Sequence, residues 1–285
     1  MSFARQGEIS KMKSVLPLVC IASALVCSLA SATLVTPGNM NGWSIYTTDN
    51  SGSLANPGTG TGDFVTGPAT PPLGMGSGHL KTPAGGGDQS VQFRNVGFAG
   101  TKIADLTSLA YSTYASAWNG QQLTYLTVWL SSGDRLHFEP AYSAAGAGNG
   151  NPNPQAAPAL NTWQTWDALG GMWYSDNFAG PGSNAVTLAG YLTLAGTPDV
   201  TIADAGPGIG GIRITSGFAS DTDNFETNID NFTIGTALGT TTFDFEPTAV
   251  PEPAAFVFGS LLCSVIGVTY GYRRFVAAKR SISVA

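Results

Sequence analysis

Leu-Thr-Ser-Leu-Ala-Tyr-Ser-Thr-Tyr at 106–114 and Leu-Thr-Tyr-Leu-Thr-Val-Trp-Leu at 123–130 decide the fold class of this chain. Both are rich in β-branched and aromatic residues, which suit a pleated, half-buried surface. Asn119-Gly120 lies between them. That pair favours a tight hairpin turn, so the spacing predicts two adjacent antiparallel strands.

The same signal recurs on both sides. Arg135–Glu139 follows a Ser-Gly-Asp turn and reads as the next strand. Upstream, Trp43–Thr48 and His79–Thr82 are strand candidates, and Ser90–Val96 alternates with Val91, Phe93 and Asn95 on one face. Residues 49–78 and 141–161 are rich in Gly, Pro and small polar residues and read as loops. The most aromatic stretch, Thr162–Ser175, holds Trp163, Trp166 and Trp173. Leu188, Tyr191, Leu192 and Ala195 fit a helical period and predict one short helix, Thr187–Leu194. Val200–Ala203, Ile209–Thr215, Ile229–Ile234 and Thr240–Phe245 complete the set. Many short strands with one helix predict an all-β, two-sheet, jelly-roll-like β-sandwich.

The two ends read differently. Lys11 and Lys13 precede an apolar run, Val15–Leu29, followed by Ala30-Ser31-Ala32. This is the order of a signal peptide, with Ala30 and Ala32 at the cleavage site and Thr33 as the expected first mature residue. At the other end Val-Pro-Glu-Pro precedes an uncharged apolar run, Ala254–Tyr272, and then Arg273, Arg274, Lys279 and Arg280. The run is long enough for a membrane-spanning helix, and the basic residues place its far end in the cytoplasm. The expected organisation is a signal peptide at 1–32, an exported domain at 33–249 and a C-terminal segment at 250–285, with the helix at 254–272 and a basic tail at 273–285.

Pro251, Glu252 and Pro253, the helix, and Arg273-Arg274 together resemble a PEP-CTERM sorting signal. The resemblance implies handling by signal peptidase and an exosortase-type enzyme, passage through an inner-membrane intermediate, and a cell-surface or extracellular destination with exopolysaccharide or biofilm matrix. The chain runs on about a dozen residues past the first arginine, a longer tail than that pattern leads one to expect. The other reading of the same residues is a plain single-pass anchor with a Pro-containing linker. A looser resemblance lies inside the domain. Ile229-Asp230-Asn231-Phe232-Thr233-Ile234, with Gly210-Gly211-Ile212-Arg213 before it, is similar to the last strands of jelly-roll carbohydrate-binding modules. It implies that Asp230 fixes a turn or helps hold a structural calcium.

Composition limits the chemistry. Between residues 33 and 249 sixteen acids face five bases (Lys81, Arg94, Lys102, Arg135 and Arg213), leaving −11. Such a surface repels nucleic acid. All three cysteines lie in the terminal segments, so packing alone must hold the exported domain. There is no Gly-x-Ser-x-Gly elbow and no His-Glu-x-x-His. His137 reads as a strand residue with a satisfied imidazole. Glu139, Glu226 and Glu246 are the only glutamates available as a glycosidase pair. Two of them close strands as Phe-Glu-Pro, which favours a structural role. No catalytic residue is assigned. Asp221, Asp223 and Glu226, with Asp230, form an oxygen-rich set suited to calcium, without the spacing of an EF-hand. Tryptophan rings stack on sugars, so Trp163, Trp166 and Trp173 are candidate sugar contacts. The three-residue spacing of Trp163 and Trp166 puts them on opposite faces of a strand. The expected function is therefore a non-catalytic exported envelope or matrix protein, with a carbohydrate-binding module and a glycan-active hydrolase as alternatives.

Overall fold

The computed structural model describes residues 32–48, 58–84, 89–206, 209–217, 222–248 and Ile266. Its strands are β1 (Thr33–Val35), β2 (Trp43–Thr48), β3 (Thr61–Thr66), β4 (Gly76–Thr82), β5 (Ser90–Asn95), β6 (Leu106–Ala117), β7 (Tyr125–Trp129) and β8 (Arg135–Phe138). They continue with β9 (Trp163–Asp167), β10 (Trp173–Ser175), β11 (Asp204–Gly206), β12 (Ile209–Gly210), β13 (Ile212–Gly217), β14 (Phe225–Thr236) and β15 (Gly239–Phe245). The α-helices α1 (Pro140–Ser143) and α2 (Leu188–Ala195) lie between them. Thr187 caps α2, its hydroxyl accepting from the Gly190 amide, and Gly196 ends it in the left-handed region. No helix among the described residues is long and apolar enough to cross a membrane, and the predicted span at 254–272 lies outside them except for Ile266.

Two sheets face each other. One runs β10-β8-β7-β13-β5-β2. The other is built on β14, with β6 and then β9 along one edge. On its opposite edge the first half of β14 pairs with β4 and the second half with β15. The two outer strands there are β3, beside β4, and β1, which runs parallel to β15. Asp230 and Asn231 stand where this edge changes partner. Asn231 has φ 53°, and the register against β6 slips between Asp230 and Thr233. A left-handed Asn at a bulge is the physical content of the Ile229–Ile234 hexapeptide.

Aromatic residues close the space between the sheets. Trp43 of β2 meets Phe232, Phe243 and Phe245 of the other sheet edge-on at 5.1, 5.5 and 5.3 Å. Phe93 meets Phe245 at 5.4 Å, and Tyr111 meets Phe138 at 6.1 Å. Each such ring buries the area of a large side chain, contributing about 2–3 kcal/mol by transfer alone. No disulfide is available within 33–249 to share that task.

Three expectations are corrected. β6 and β7 are not a hairpin: β6 pairs with β14 and β9, whereas β7 pairs with β13 and β8. The Asn119-Gly120 turn carries the chain from one sheet to the other. Asn119 Oδ1 accepts the amides of Gln121 and Gln122 at 2.9 and 2.7 Å, which fixes the corner. Second, the stretch 49–78 contains β3 as well as loop. Third, Val200–Ala203 makes only isolated bridges, Thr201 to Lys102 and Ile202 to Leu130.

Candidate functional site

Of the predicted sugar contacts, Trp166 and Trp173 are core residues at 1% and 0% exposure and present no ring face to a ligand. Their indole N–H groups donate to Thr113 Oγ1 at 2.7 Å and to the Ala168 carbonyl at 2.8 Å. Trp163 falls on the opposite face of β9 from Trp166. It is half-buried, tilted against Tyr114 at 5.8 Å, and donates to the Pro68 carbonyl at 2.9 Å.

The predicted calcium residues do not converge. Asp223 accepts from Asn119 Nδ2 at 2.9 Å. Glu226 lies opposite Lys81, bonded to its Nζ at 2.9 Å and 3.4 Å from His79 Nε2. Asp230 is buried, and its two oxygens accept the amides of Leu73 at 2.8 Å and Phe245 at 3.2 Å. Among the described residues no group of three or more His, Cys, Asp or Glu side chains could hold a metal ion. Asp221, Ala30, Pro251, Glu252, Pro253, Arg273 and Arg274 lie outside the described residues, and Ala32 directly precedes β1.

The two Phe-Glu-Pro glutamates close different sheets. Glu139 ends β8 and accepts the Leu123 amide at 2.7 Å, while Glu246 follows β15 and accepts the Met75 and Gly76 amides at 2.6 and 3.0 Å. Both are 1% exposed. Each braces a loop, Glu139 at residue 123 and Glu246 at residues 75–76.

A different constellation appears on the outer face of the six-stranded sheet. In β7, Leu126 and Val128 point into the core, so Tyr125, Thr127 and Trp129 point outward. The same alternation turns Arg135 and His137 of β8, Arg213 and Thr215 of β13, and Gln92 and Arg94 of β5 to this face. Strand register aligns them. One row crosses all six strands as Tyr174, His137, Thr127, Arg213, Arg94 and Ser44. A second runs Tyr125, Thr215, Gln92 and Tyr46, of which the first three are buried. Five inter-strand gaps of about 4.8 Å make the first row about 24 Å long.

Within the face, His137 stacks on Tyr174 at 4.8 Å, and Tyr142 meets Tyr174 edge-on at 5.8 Å. His137 Nδ1 lies 3.0 Å from Thr127 Oγ1, and its Nε2 3.3 Å from Asp176 Oδ1. Asp176 also accepts from Arg135 Nε. The His137 hydrogen bond, then Arg135, holds the Asp176 carboxyl below the usual carboxylate range. Arg135 and Arg213 lie 5.3 and 5.0 Å from the centre of the Trp129 ring, and Arg94 5.8 Å from that of Tyr46. Arg94 is fixed by Asp204 at 3.1 Å and by the Gly210 carbonyl at 2.9 Å. Burial pushes the phenols of Tyr125 and Tyr174 up, so both are neutral donors.

Half-buried aromatic rings beside an arginine and a histidine can stack on a ring and hydrogen-bond its substituents. The signal was present in the sequence as outward positions between core residues, as in Tyr-Leu-Thr-Val-Trp at 125–129 and Ile-Arg-Ile at 212–214. Sheet order, which alternation does not specify, is what gathers them. No protein-family model matches the chain, and no curated protein matches it.

Proposed function

We propose that this is an exported, non-catalytic protein of a bacterial envelope or extracellular matrix, and that its jelly-roll-like domain binds glycan on the outer face of the six-stranded sheet. The observation that carries the binding reading is the set of half-buried groups on this face, Tyr174, His137, Arg213 and Trp129, with His137 stacked on Tyr174; Thr127 and Arg94 of the same row are buried. Sugars are recognised by that combination, with rings against their apolar faces and planar donors on their oxygens. The repeated passage of successive strands between the two sheets favours the jelly-roll description.

Export and sorting rest on the terminal motifs. The first strand begins at Thr33, the residue expected to follow signal cleavage, and Glu246 is buried only five positions before Pro251. A folded domain ending there leaves a short Pro-containing segment for a processing enzyme. Mass spectrometry of the native protein is expected to find a C-terminus near Pro251–Pro253, and a mature chain retaining 254–272 leaves only the plain anchor. For the binding face, the native protein on a glycan array is expected to retain a subset of polysaccharides and to lose them in Tyr174→Ala. An empty array at millimolar glycan removes the lectin reading.

A further inference from the structure

Three Asn-Gly pairs occur in the chain, at 41–42, 119–120 and 149–150. An asparagine followed by glycine carries the means to convert itself. The glycine main-chain nitrogen attacks the side-chain carbonyl carbon next to it, and glycine has no Cβ to hinder the approach. The groups around the asparagine amide then set the rate.

Asn119 stands at the corner between β6 and β7. Its Oδ1 accepts two main-chain amides, from Gln121 at 2.9 Å and from Gln122 at 2.7 Å. Its Nδ2 donates to Asp223 Oδ2 at 2.9 Å. These partners fix which way the amide faces, because the reversed amide would set N–H against N–H and oxygen against carboxylate. Attack on the carbonyl carbon turns Oδ1 into an oxyanion, and two fixed N–H groups already at hydrogen-bond distance stabilise that charge. The departing nitrogen takes up a proton and becomes positive beside a carboxylate. Gly120 is exposed, and a Cβ there would meet nothing within 4 Å, so water reaches its nitrogen. The other two pairs are held differently, with Nδ2 donating to neutral main-chain carbonyls. Asn41 donates to that of Leu34, and Asn149 to those of Tyr142 at 2.6 Å and Gly182 at 3.3 Å. Asn149 Oδ1 accepts the Asn151 amide at 3.3 Å, longer than either bond at Asn119.

We infer that Asn119 is a self-modification site, at which the folded corner promotes its own deamidation. The Gly120 nitrogen gives its proton to hydroxide and bonds to Asn119 Cγ. The Cγ–Nδ2 bond breaks, ammonia leaves with a proton from water, and a five-membered imide remains. Water then opens the imide on either side, leaving aspartate or isoaspartate at 119. The net change consumes water and releases ammonia, with no oxidant or reductant. The product sets a carboxylate against Asp223 where an N–H donor stood. The isoaspartate form also adds a carbon to the main chain at the corner between the two sheets. This chemistry is independent of any glycan bound to the domain.

The test incubates native protein at mildly alkaline pH beside the same protein unfolded in urea. Peptide mapping by mass spectrometry reads amide-to-acid conversion at all three pairs. Unfolding removes the Gln121, Gln122 and Asp223 contacts, so the urea sample measures the rate that local sequence alone supplies. Asn119 is expected to convert about tenfold or more faster in the native protein than in urea, and faster than Asn41 and Asn149 in the same native sample. Asp223→Asn keeps an acceptor for Nδ2 and removes the charge. That variant is expected to slow Asn119 severalfold while Asn41 and Asn149 keep their rates. Asn119→Asp, the product made directly, is expected to melt below the wild type. An Asn119 that converts no faster native than unfolded, or no faster than the other two pairs, overturns the site. An unchanged rate in Asp223→Asn overturns the part assigned to that carboxylate, and wild-type melting of Asn119→Asp overturns the effect on the corner.

Discussion

Glu139 is the residue whose position is hardest to reconcile with water. Its carboxyl accepts the Leu123 amide at 2.7 Å, and burial raises it to about 8 despite that bond and one from Ala141. At neutral pH it is mainly a neutral acid, and deprotonation places an unpaired charge among Tyr111, Tyr125, Tyr142 and Tyr174. Glu139→Gln keeps a carbonyl for the Leu123 amide and cannot ionise. The variant is therefore expected to match the wild type near pH 5 and to melt several degrees higher near pH 8.5. Each pH unit of unequal proton binding is worth about 1.4 kcal/mol, and about 1 kcal/mol moves the midpoint of a domain this size by about 2–4 °C. Parallel melting curves for the two proteins across that range exclude an ionising Glu139. The second Phe-Glu-Pro motif marks a similar brace at Glu246. The proline after each glutamate ends its strand, and that much is legible in the sequence. Which loop each carboxylate would hold is set by contacts with residue 123 in one case and residues 75–76 in the other, and no local pattern encodes them.

At the scale of elements, the β3–β4 loop and the branch in β14 are one device. Asp230 takes the Leu73 amide, Glu246 takes those of Met75 and Gly76, and Gly74 sits between them at φ 53°. A Cβ on Gly74 would stand 1.7 Å from Glu246 Oε1. Gly74→Ala must therefore displace a buried carboxylate and adopt a backbone angle that only glycine tolerates easily. A loss of about 2 kcal/mol or more in urea unfolding is expected, with the slope unchanged. A loss below about 0.5 kcal/mol would mean that the loop is not braced this way. The hexapeptide at 229–234 reads as a strand, and residue type at Trp43–Thr48 and Leu123–Leu130, with alternation at Ser90–Val96 and Arg135–Glu139, locates β2, β7, β5 and β8. Partners were not readable. The 106–114 and 123–130 segments have the composition of a hairpin, yet the corner at Asn119 sends them to opposite sheets. β3 hid within a Gly- and Pro-rich stretch because it is an edge strand, Thr-Gly-Asp-Phe-Val-Thr, with little apolar content and mostly exposed or half-buried residues. Residue type marks Trp166 and Trp173 as ligand contacts, but type alone cannot separate a core ring from a surface one.

For the whole molecule, the buried acids set a direction for stability against pH. Burial raises Glu139 to about 8, Asp230 to about 7 and Asp244 to about 6, the last also through Glu246. In the unfolded chain these groups titrate near about 4. Between those values the native state binds more protons than the unfolded state, so stability falls as pH rises. Their contribution is complete below about pH 4 and is lost progressively up to about pH 8. Asp176 and Glu226 act in the opposite sense, since hydrogen bonds to His137 and Lys81 hold them low. Their contribution is present above the ordinary carboxylate range and disappears as pH falls through their lowered values. Both are solvated enough that their effect is small. The two senses together place the maximum near about pH 4, with a decline toward pH 8 and a shallower one at lower pH. Calorimetric melting from pH 3 to pH 9 is expected to trace that curve, and a midpoint that climbs steadily from pH 5 to pH 8 contradicts it.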